Sequence, residues 1–406
     1  MLGEQKPIAV PNILLPNEKI DLSKWAVVAC DQFTSQPQYW KALKAHIGDE
    51  PSTLNMILPE VYLEKMKDQT INTINHYMED YLAKEILKPI GPSFVLVERK
   101  VDKDQIRLGL LLNIDLECYD YSIGSKPLIR TTEKTILSRI PPRMMIRKNA
   151  PLEFSHVMLL VNDPEKQIIE PLYQNRSSYK EIYNFELNMM GGHIKGYQIN
   201  DTEPIVKSFY AMIEKDDDPI LFIAGDGNHS LATAKAHWET LKINLSEEEQ
   251  KNHPARFTMV EVVNIYDEGL HFEGIHRVLF NASPDFLTGL FHHVDKEHES
   301  WAFQSETDKI PFFIPQSTAV AYEQVQSYID EYLIQHPEVS IDFIHGDDEL
   351  IEVCKHHTNS IGIRMPALER SDLFPFIKMG KILPRKSFSM GCATAKRYYL
   401  ESQMIK

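Results

Sequence analysis

Apolar positions along this chain follow two rhythms that take turns from one segment to the next. Trp25 to Cys30 (WAVVAC) is a short unbroken apolar run, which predicts a buried strand. A polar loop follows from Asp31 to Gln38. Between Pro59 and Leu87 apolar residues fall three and four apart, the period of one helical face, and predict a long helix. FVLVERK and IRLGLLLNIDL predict two strands joined by a charged turn at Asp102 to Asp104. HVMLLVND, from His156 to Asp163, predicts another strand, with a short helix from Pro164 to Gln174 after it. Segments around Tyr183 to Leu187 and His193 to Ile199 are β-like, and the Gly191-Gly192 pair between them suits a tight hairpin. DTEPIVKSFYAMIEK predicts an amphipathic helix with Asp201 at its N-cap. DPILFIAGDGNHSLATAKAHWETL is strand, glycine loop and helix in succession, and FTMVEVVNIYDEGL adds a strand ending in a turn. The last third mixes helix and strand less regularly. The whole predicts an α+β fold of mixed sheets with helices rather than a doubly wound parallel sheet.

Composition then divides the chain. Shifts near residues 125 and 295 suggest an N-terminal α/β region (1–125), a core region (126–295) and a C-terminal α/β region (296–406). At 406 residues with 43% hydrophobic content, a sizeable core can form. The net charge of −15 disfavours nucleic acid, whose phosphates an acidic surface repels. One basic cluster, Arg139, Arg143, Arg147 and Lys148, has helical spacing and is either a solvated face or a small anion site. Cys30, Cys118, Cys354 and Cys392 form no CxxC pair, so no zinc knuckle or redox pair is expected. No apolar run approaches a membrane span. The expectation is a soluble, cytoplasmic protein. Its oligomeric state is open.

The chemistry concentrates in LFIAGDGNHSLATAKAHW. Ile220 to Ala224 is the apolar strand, and Gly225 and Gly227 flank Asp226. Glycine permits positive φ and close backbone approach. Asn228 or Ser230 can cap a helix beginning near Leu231, whose N-terminus favours an anion. Asp226 is placed to hold Mg²⁺ or to accept a proton from a substrate hydroxyl, and His229 adds a second proton-handling group. Asp-Gly-Asn is also an ordinary turn, and Ser230 equally a plain cap. Neither a Walker loop nor a Rossmann fingerprint is present.

DGNHSLATA resembles the DGHHRYETA-like segment of the bacterial and archaeal family called domain of unknown function 1015. Asp226, Gly227, His229, Thr233 and Ala234 match, whereas Asn228 and Ser230 replace the family's His and Arg. RTTEKT near Arg130, EGLHFEGIHRVL with His276-Arg277, and LPRKSFSMG with Lys386-Ser387 fit the same pattern in the same order. The motif is in turn similar to one shared by ParB-like CTP-binding proteins, sulfiredoxin and kinases of free serine, which hold a nucleotide phosphate at this loop. The resemblance implies a ParB/sulfiredoxin-like nucleotide-binding core. It also implies a Mg²⁺- and nucleotide-dependent phosphotransferase acting on a small hydroxyl substrate, free serine being the first choice. The nucleotide would be ATP, ADP or CTP. A non-enzymatic nucleotide- or metabolite-binding regulator and a phosphoester hydrolase are the alternatives.

On this reading Asp226, His229 and Glu133 are the catalytic candidates, with Asp226 also the metal ligand. Gly225, Gly227, Asn228, Ser230, Thr233, Arg277, Lys386 and Ser387 would hold phosphate or nucleotide, and Asp31 and Thr131 the substrate. Ser230 lacks the bidentate grip of an arginine, so a cation from elsewhere, Lys386 or Arg277, would substitute. LPRKSFSMG can bring the C-terminal region back to the site, or be an exposed basic loop. Glu133 can equally be the N3 residue of a capping box. His292, His293 and His298 beside Glu297 and Glu299 lack zinc-site spacing, as does His356-His357, and both suit solvated segments.

Overall fold

The computed structural model describes residues 6–102, 105–214, 216–304 and 309–406. The charged turn expected at Asp102 to Asp104 falls largely outside them. The fold is α+β, and the chain divides into two compact units. The first comprises Met1–Thr131, Thr135–Leu270 and Cys392–Lys406; the second comprises Thr132–Lys134 and His271–Gly391. Position 125 therefore lies within the first unit and position 295 within the second.

The first unit is built on a mixed sheet. Its order is Lys180–Leu187, Gly192–Ile199, Phe94–Asp102, Gln105–Asp115, Phe257–Asn264, Met158–Val161, Phe222–Asp226, Ile129–Arg130, Tyr119–Asp120, with Ile8–Ala9 added against Gln105–Asp115. Gln105–Asp115 is buried continuously from Arg107 onward, and Phe257–Asn264 almost throughout. Both are interior strands covered on two faces, which explains apolar runs without alternation. Phe222–Asp226 lies antiparallel to Met158–Val161 and parallel to Ile129–Arg130. The Met189-Met190 bend takes left-handed φ values of 50° and 62°, followed by Gly192 at 74°.

The C-terminal segment belongs to this unit. Tyr398 and Tyr399 pair with Val28 and Val27, and Gln403 and Met404 with Glu153 and Leu152. Beneath it lies a buried charge network. Arg397 donates to Glu261 (2.8 Å), to Glu401 (2.6 Å) and to the Ser155 carbonyl (2.9 Å). Arg107 faces Glu261 at 3.6 Å and donates to the Ala395 carbonyl at 2.8 Å. Gly109 makes room for this carboxylate, because a Cβ there would lie 2.3 Å from Glu261 Oε1. Burial opposes the charge on Glu261, but Arg107 and Arg397 outweigh it and hold the carboxyl below its usual range.

The second unit carries an antiparallel sheet in the order Ile310–Ile314, His298–Gln304, Ser360–Ile363, Phe272–Phe280, Ser340–His345. Phe388–Met390 joins it along Phe272–Phe280. Its helices include Asp285–His293, Thr318–Gln335, Asp347–His356 and Arg370–Lys378.

Several expectations need correction. The long helix from Pro59 to Leu87 is a 3-10 segment, Glu60–Lys65, then a helix, Asp68–Ala83; Lys67 between them is extended (φ −124°, ψ 158°), and Leu87 already begins a strand. WAVVAC is buried from Trp25 to Ala29, but only Val27–Val28 is strand. The helix after Pro164 is shorter, Ile169–Gln174. The helix expected behind Asp201 starts at Glu203 with Thr202 at its N-cap. Glu133 caps no helix: it forms an isolated parallel bridge with Leu383.

Candidate functional site

The GDGNHS loop is shaped by a register shift and a left-handed glycine. Asp226 pairs with Met158 and Ala224 with Leu159, so Gly225 is the extra residue of a bulge. Gly227 then takes φ 78°, ψ 24° and is the N-cap of the helix Asn228–Lys242, with no side-chain cap. The helix starts before the expected Leu231, and neither Asn228 nor Ser230 caps it. A Cβ on Gly227 would lie 3.0 Å from Val157 Cα and 3.3 Å from His156 Cδ2. The turn thus packs directly on the chain entering the neighbouring strand. The first helical hydrogen bond runs from the Leu231 N–H to the Gly227 carbonyl (3.0 Å), leaving the N–H groups of Asn228, His229 and Ser230 ahead of the ladder.

Two acidic centres converge beside this turn. Asp226 Oδ1 accepts from the Gly227 N–H (2.9 Å), and its Oδ2 faces Lys396 Nζ at 3.3 Å. Asp31 Oδ2 lies 3.3 Å from His156 Nε2. Burial opposes the Asp31 charge, yet His156 outweighs it through charge and hydrogen bonding and holds the carboxyl below its usual range. Burial likewise opposes the imidazolium of His156, but Asp31 raises its pKa, with a further push from the Asp226 charge. On the other side of the ring, Nδ1 meets the Tyr399 hydroxyl at 2.8 Å. Tyr399 accepts from the Cys30 N–H (3.2 Å) and donates to Cys30 Sγ (3.1 Å). An imidazolium donating from both nitrogens satisfies every partner in this chain. The Cys30 thiol, pushed to about 12 by burial and the nearby acids, is a packing group rather than a nucleophile.

His229 has the opposite character. Burial, then the charges of Arg139 and Arg143, push its pKa down to about 4. Its Nε2 accepts from the Ile136 N–H at 3.2 Å, which leaves the proton on Nδ1. The Thr131 hydroxyl donates to Asn228 Oδ1 at 3.3 Å, and the Thr233 hydroxyl turns back onto the His229 carbonyl at 2.7 Å. Arg143, from the basic cluster, is ion-paired with Glu60, and Arg147 with Glu153.

The first unit thus gathers Asp31, Thr131, Gly225, Asp226, Gly227, Asn228, His229, Ser230 and Thr233. The remaining candidates belong to the second unit. There Arg277 is fully buried: it donates to Gln326 (3.0 Å) and to the Lys386 carbonyl (2.9 Å), and its guanidinium lies over Tyr322 and Phe343. The exposed Lys386 has a left-handed φ of 59°, and the buried Ser387 hydroxyl donates to the Pro384 carbonyl at 2.6 Å. Sequence reasoning misses His156, Lys396 and Tyr399. His156 heads the HVMLLVND run and reads there as part of a strand, and the AKRYYL signal is only a basic pair ahead of two aromatics.

Mg²⁺ fits this donor set poorly. It binds through hard oxygens in near-octahedral array, and Asp226, the expected ligand, already faces an ammonium.

The chain belongs to the family described as protein of unknown function DUF1015, whose model matches residues 13–351. No curated protein matches it in sequence. Among solved structures it is similar to a free serine kinase in complex with AMP, at 9% identity over 73% of this chain and 91% of that one, TM-score 0.39. A conserved hypothetical protein from Pyrococcus furiosus is similar at 10% identity, 71% and 90% coverage and TM-score 0.33. SbnI with a C-terminal truncation, from Staphylococcus aureus, is similar at 7% identity, 71% and 85% coverage and TM-score 0.37.

Proposed function

We propose that this chain binds a nucleotide at the start of the Asn228–Lys242 helix and transfers a phosphoryl group to a small hydroxyl compound. The supporting observation is the pairing of a carboxylate, Asp226, with the N–H groups of Asn228, His229 and Ser230, which precede the helical hydrogen-bond ladder. Such N–H groups favour phosphate oxygens, and phosphoryl transfer depends chiefly on positioning and charge stabilisation. The neutral His229 supplies an Nδ1–H donor, and Ser230 a hydroxyl. The substrate oxygen bonds to phosphorus as the bond to the leaving nucleotide phosphate breaks, and its proton passes to Asp226. Asp31, kept ionised by His156, holds a substrate ammonium or second hydroxyl. The motif resemblance makes free serine the first substrate to test.

Phosphorus NMR of mixtures containing ATP, ADP or CTP with a panel of hydroxyl amino acids and sugars tests this reading. A new phosphoester is expected, lost by about a hundredfold or more in Asp226→Ala, the usual scale for a positioned acid or base. Nucleotide binding without any product would instead make the chain a binding regulator. Neither binding nor product would overturn the reading altogether.

A further inference from the structure

We propose that Lys396, carried by the C-terminal segment, is the cation that binds the phosphate-bearing ligand at this site. The inference rests on the phosphate reading above but concerns a residue outside the stretch matched by the family model, which ends at 351. The loop Gly225 to Ser230 contains no lysine or arginine, so it offers no permanent cation of its own. Within the first unit the ammonium facing Asp226 is Lys396, at 3.3 Å, in a side chain about one-tenth exposed. An ammonium has three donors, and a single carboxylate oxygen occupies one direction. A largely desolvated lysine is costly to hold unless its charge is used or matched, and Asp226 matches it while no ligand is bound.

The segment is built to hold that position. Immediately after Lys396, Arg397 is clamped by Glu261, Glu401 and the Ser155 carbonyl, while the carbonyl of Ala395, just before it, accepts from Arg107. Both neighbours of Lys396 in the chain are thus tied into the buried network, which leaves the lysine backbone little freedom. Three residues on, Tyr399 bonds His156, which bonds Asp31. One short stretch therefore touches both acidic centres. A structural ion pair alone would account for Lys396 and Asp226; the second contact, through Tyr399, ties the same stretch to the site as a whole.

The test is titration of the full chain with inorganic pyrophosphate by calorimetry, with thermal denaturation confirming that each variant is folded. Lys396→Met is expected to weaken pyrophosphate binding by about tenfold or more, the scale of one charge-assisted hydrogen bond. Lys396→Arg keeps a cation able to donate to phosphate oxygens, so affinity should stay within about threefold of the parent chain. Should Lys396→Met fail to fold because Asp226 is stranded, the double variant Asp226→Asn, Lys396→Met removes both charges and should also bind weakly. Affinity in Lys396→Met or the double variant within about twofold of the parent chain, or no binding by the parent, would sink the proposal. Loss of binding in Lys396→Met with no rescue by arginine would also overturn it, as a merely structural effect. Pyrophosphate binding that depends on Lys396, without phosphoester formation, would leave this proposal standing and remove the phosphotransferase reading.

Discussion

Gly227→Ala is the substitution that best separates what the site turn requires from what any turn requires. Two costs apply at this position. A Cβ in a left-handed conformation costs about 1–2 kcal/mol. The new methyl would also sit 3.0 Å from Val157 Cα, a backbone atom that cannot swing aside as a side-chain tip can. Displacing packed neighbours adds about 1–3 kcal/mol, so the total is roughly 2–5 kcal/mol. Gly124 provides the control: its φ is also positive, at 82°, but nothing lies within 4 Å of its Cβ position. Gly124→Ala should therefore lose only the conformational part, about 1–2 kcal/mol. Urea unfolding followed by tryptophan fluorescence measures both, because Trp25, Trp40 and Trp238 are all buried in the first unit. The displaced neighbour is the segment carrying His156, so Gly227→Ala should also weaken pyrophosphate binding, whereas Gly124→Ala should not. Equal losses of stability in the two variants would refute the claim that the turn is pressed against Val157.

The other predictions concern buried charge and buried polarity. His237 is buried with neither ring nitrogen bonded, and burial, aided by Arg147, pushes its pKa down to about 4 from 6.5. Because the folded value is depressed, the neutral ring's contribution is complete above pH 6.5 and lost as pH falls toward about 4, by up to roughly 3 kcal/mol. His237→Leu should be more stable than the parent at pH 7 by about 1–3 kcal/mol and show a flatter acid limb, read from urea midpoints between pH 7 and pH 4; an unchanged acid limb would count against it. Glu261→Gln strips the shared carboxylate from Arg107 and Arg397 and should cost about 3–5 kcal/mol in the same unfolding assay. Tyr399→Phe removes one acceptor from His156 while leaving Asp31 in place, so NMR titration should find the His156 pKa lowered but still above that of His229; coincident values would contradict the hydrogen-bond chain.

What the sequence makes legible follows the range of the interactions involved. The strands Phe94–Asp102 and Gln105–Asp115 and the strand–turn–helix around Asp226 announce themselves because burial and turn geometry act within a few residues. The break at Lys67 does not: helical periodicity continues across it, yet the exposed Lys67 is extended. The Gly227 cap is hidden for a similar reason, since Asn228 and Ser230 are better cap residues by composition, yet a left-handed glycine pressed on Val157 closes the turn. The second half of the site is the least legible. His156, Lys396 and Tyr399 meet Asp226 and Asp31 through pairings far apart along the chain, and nothing local in AKRYYL signals an acid waiting elsewhere.

The first unit is interrupted, its last strands following the whole of His271–Gly391 in the chain. During synthesis, residues 1–270 leave the ribosome without Lys396, Arg397 and Tyr399. Glu261 and Arg107 must then wait without their later partners, and Asp226 without its ammonium, while the inserted unit is made. Closing so long a loop adds little entropy cost per extra residue, so the delay is one of time more than of free energy. The site is therefore completed only after the inserted unit has been made, and a nascent chain cannot present it before the segment Cys392–Lys406 has emerged.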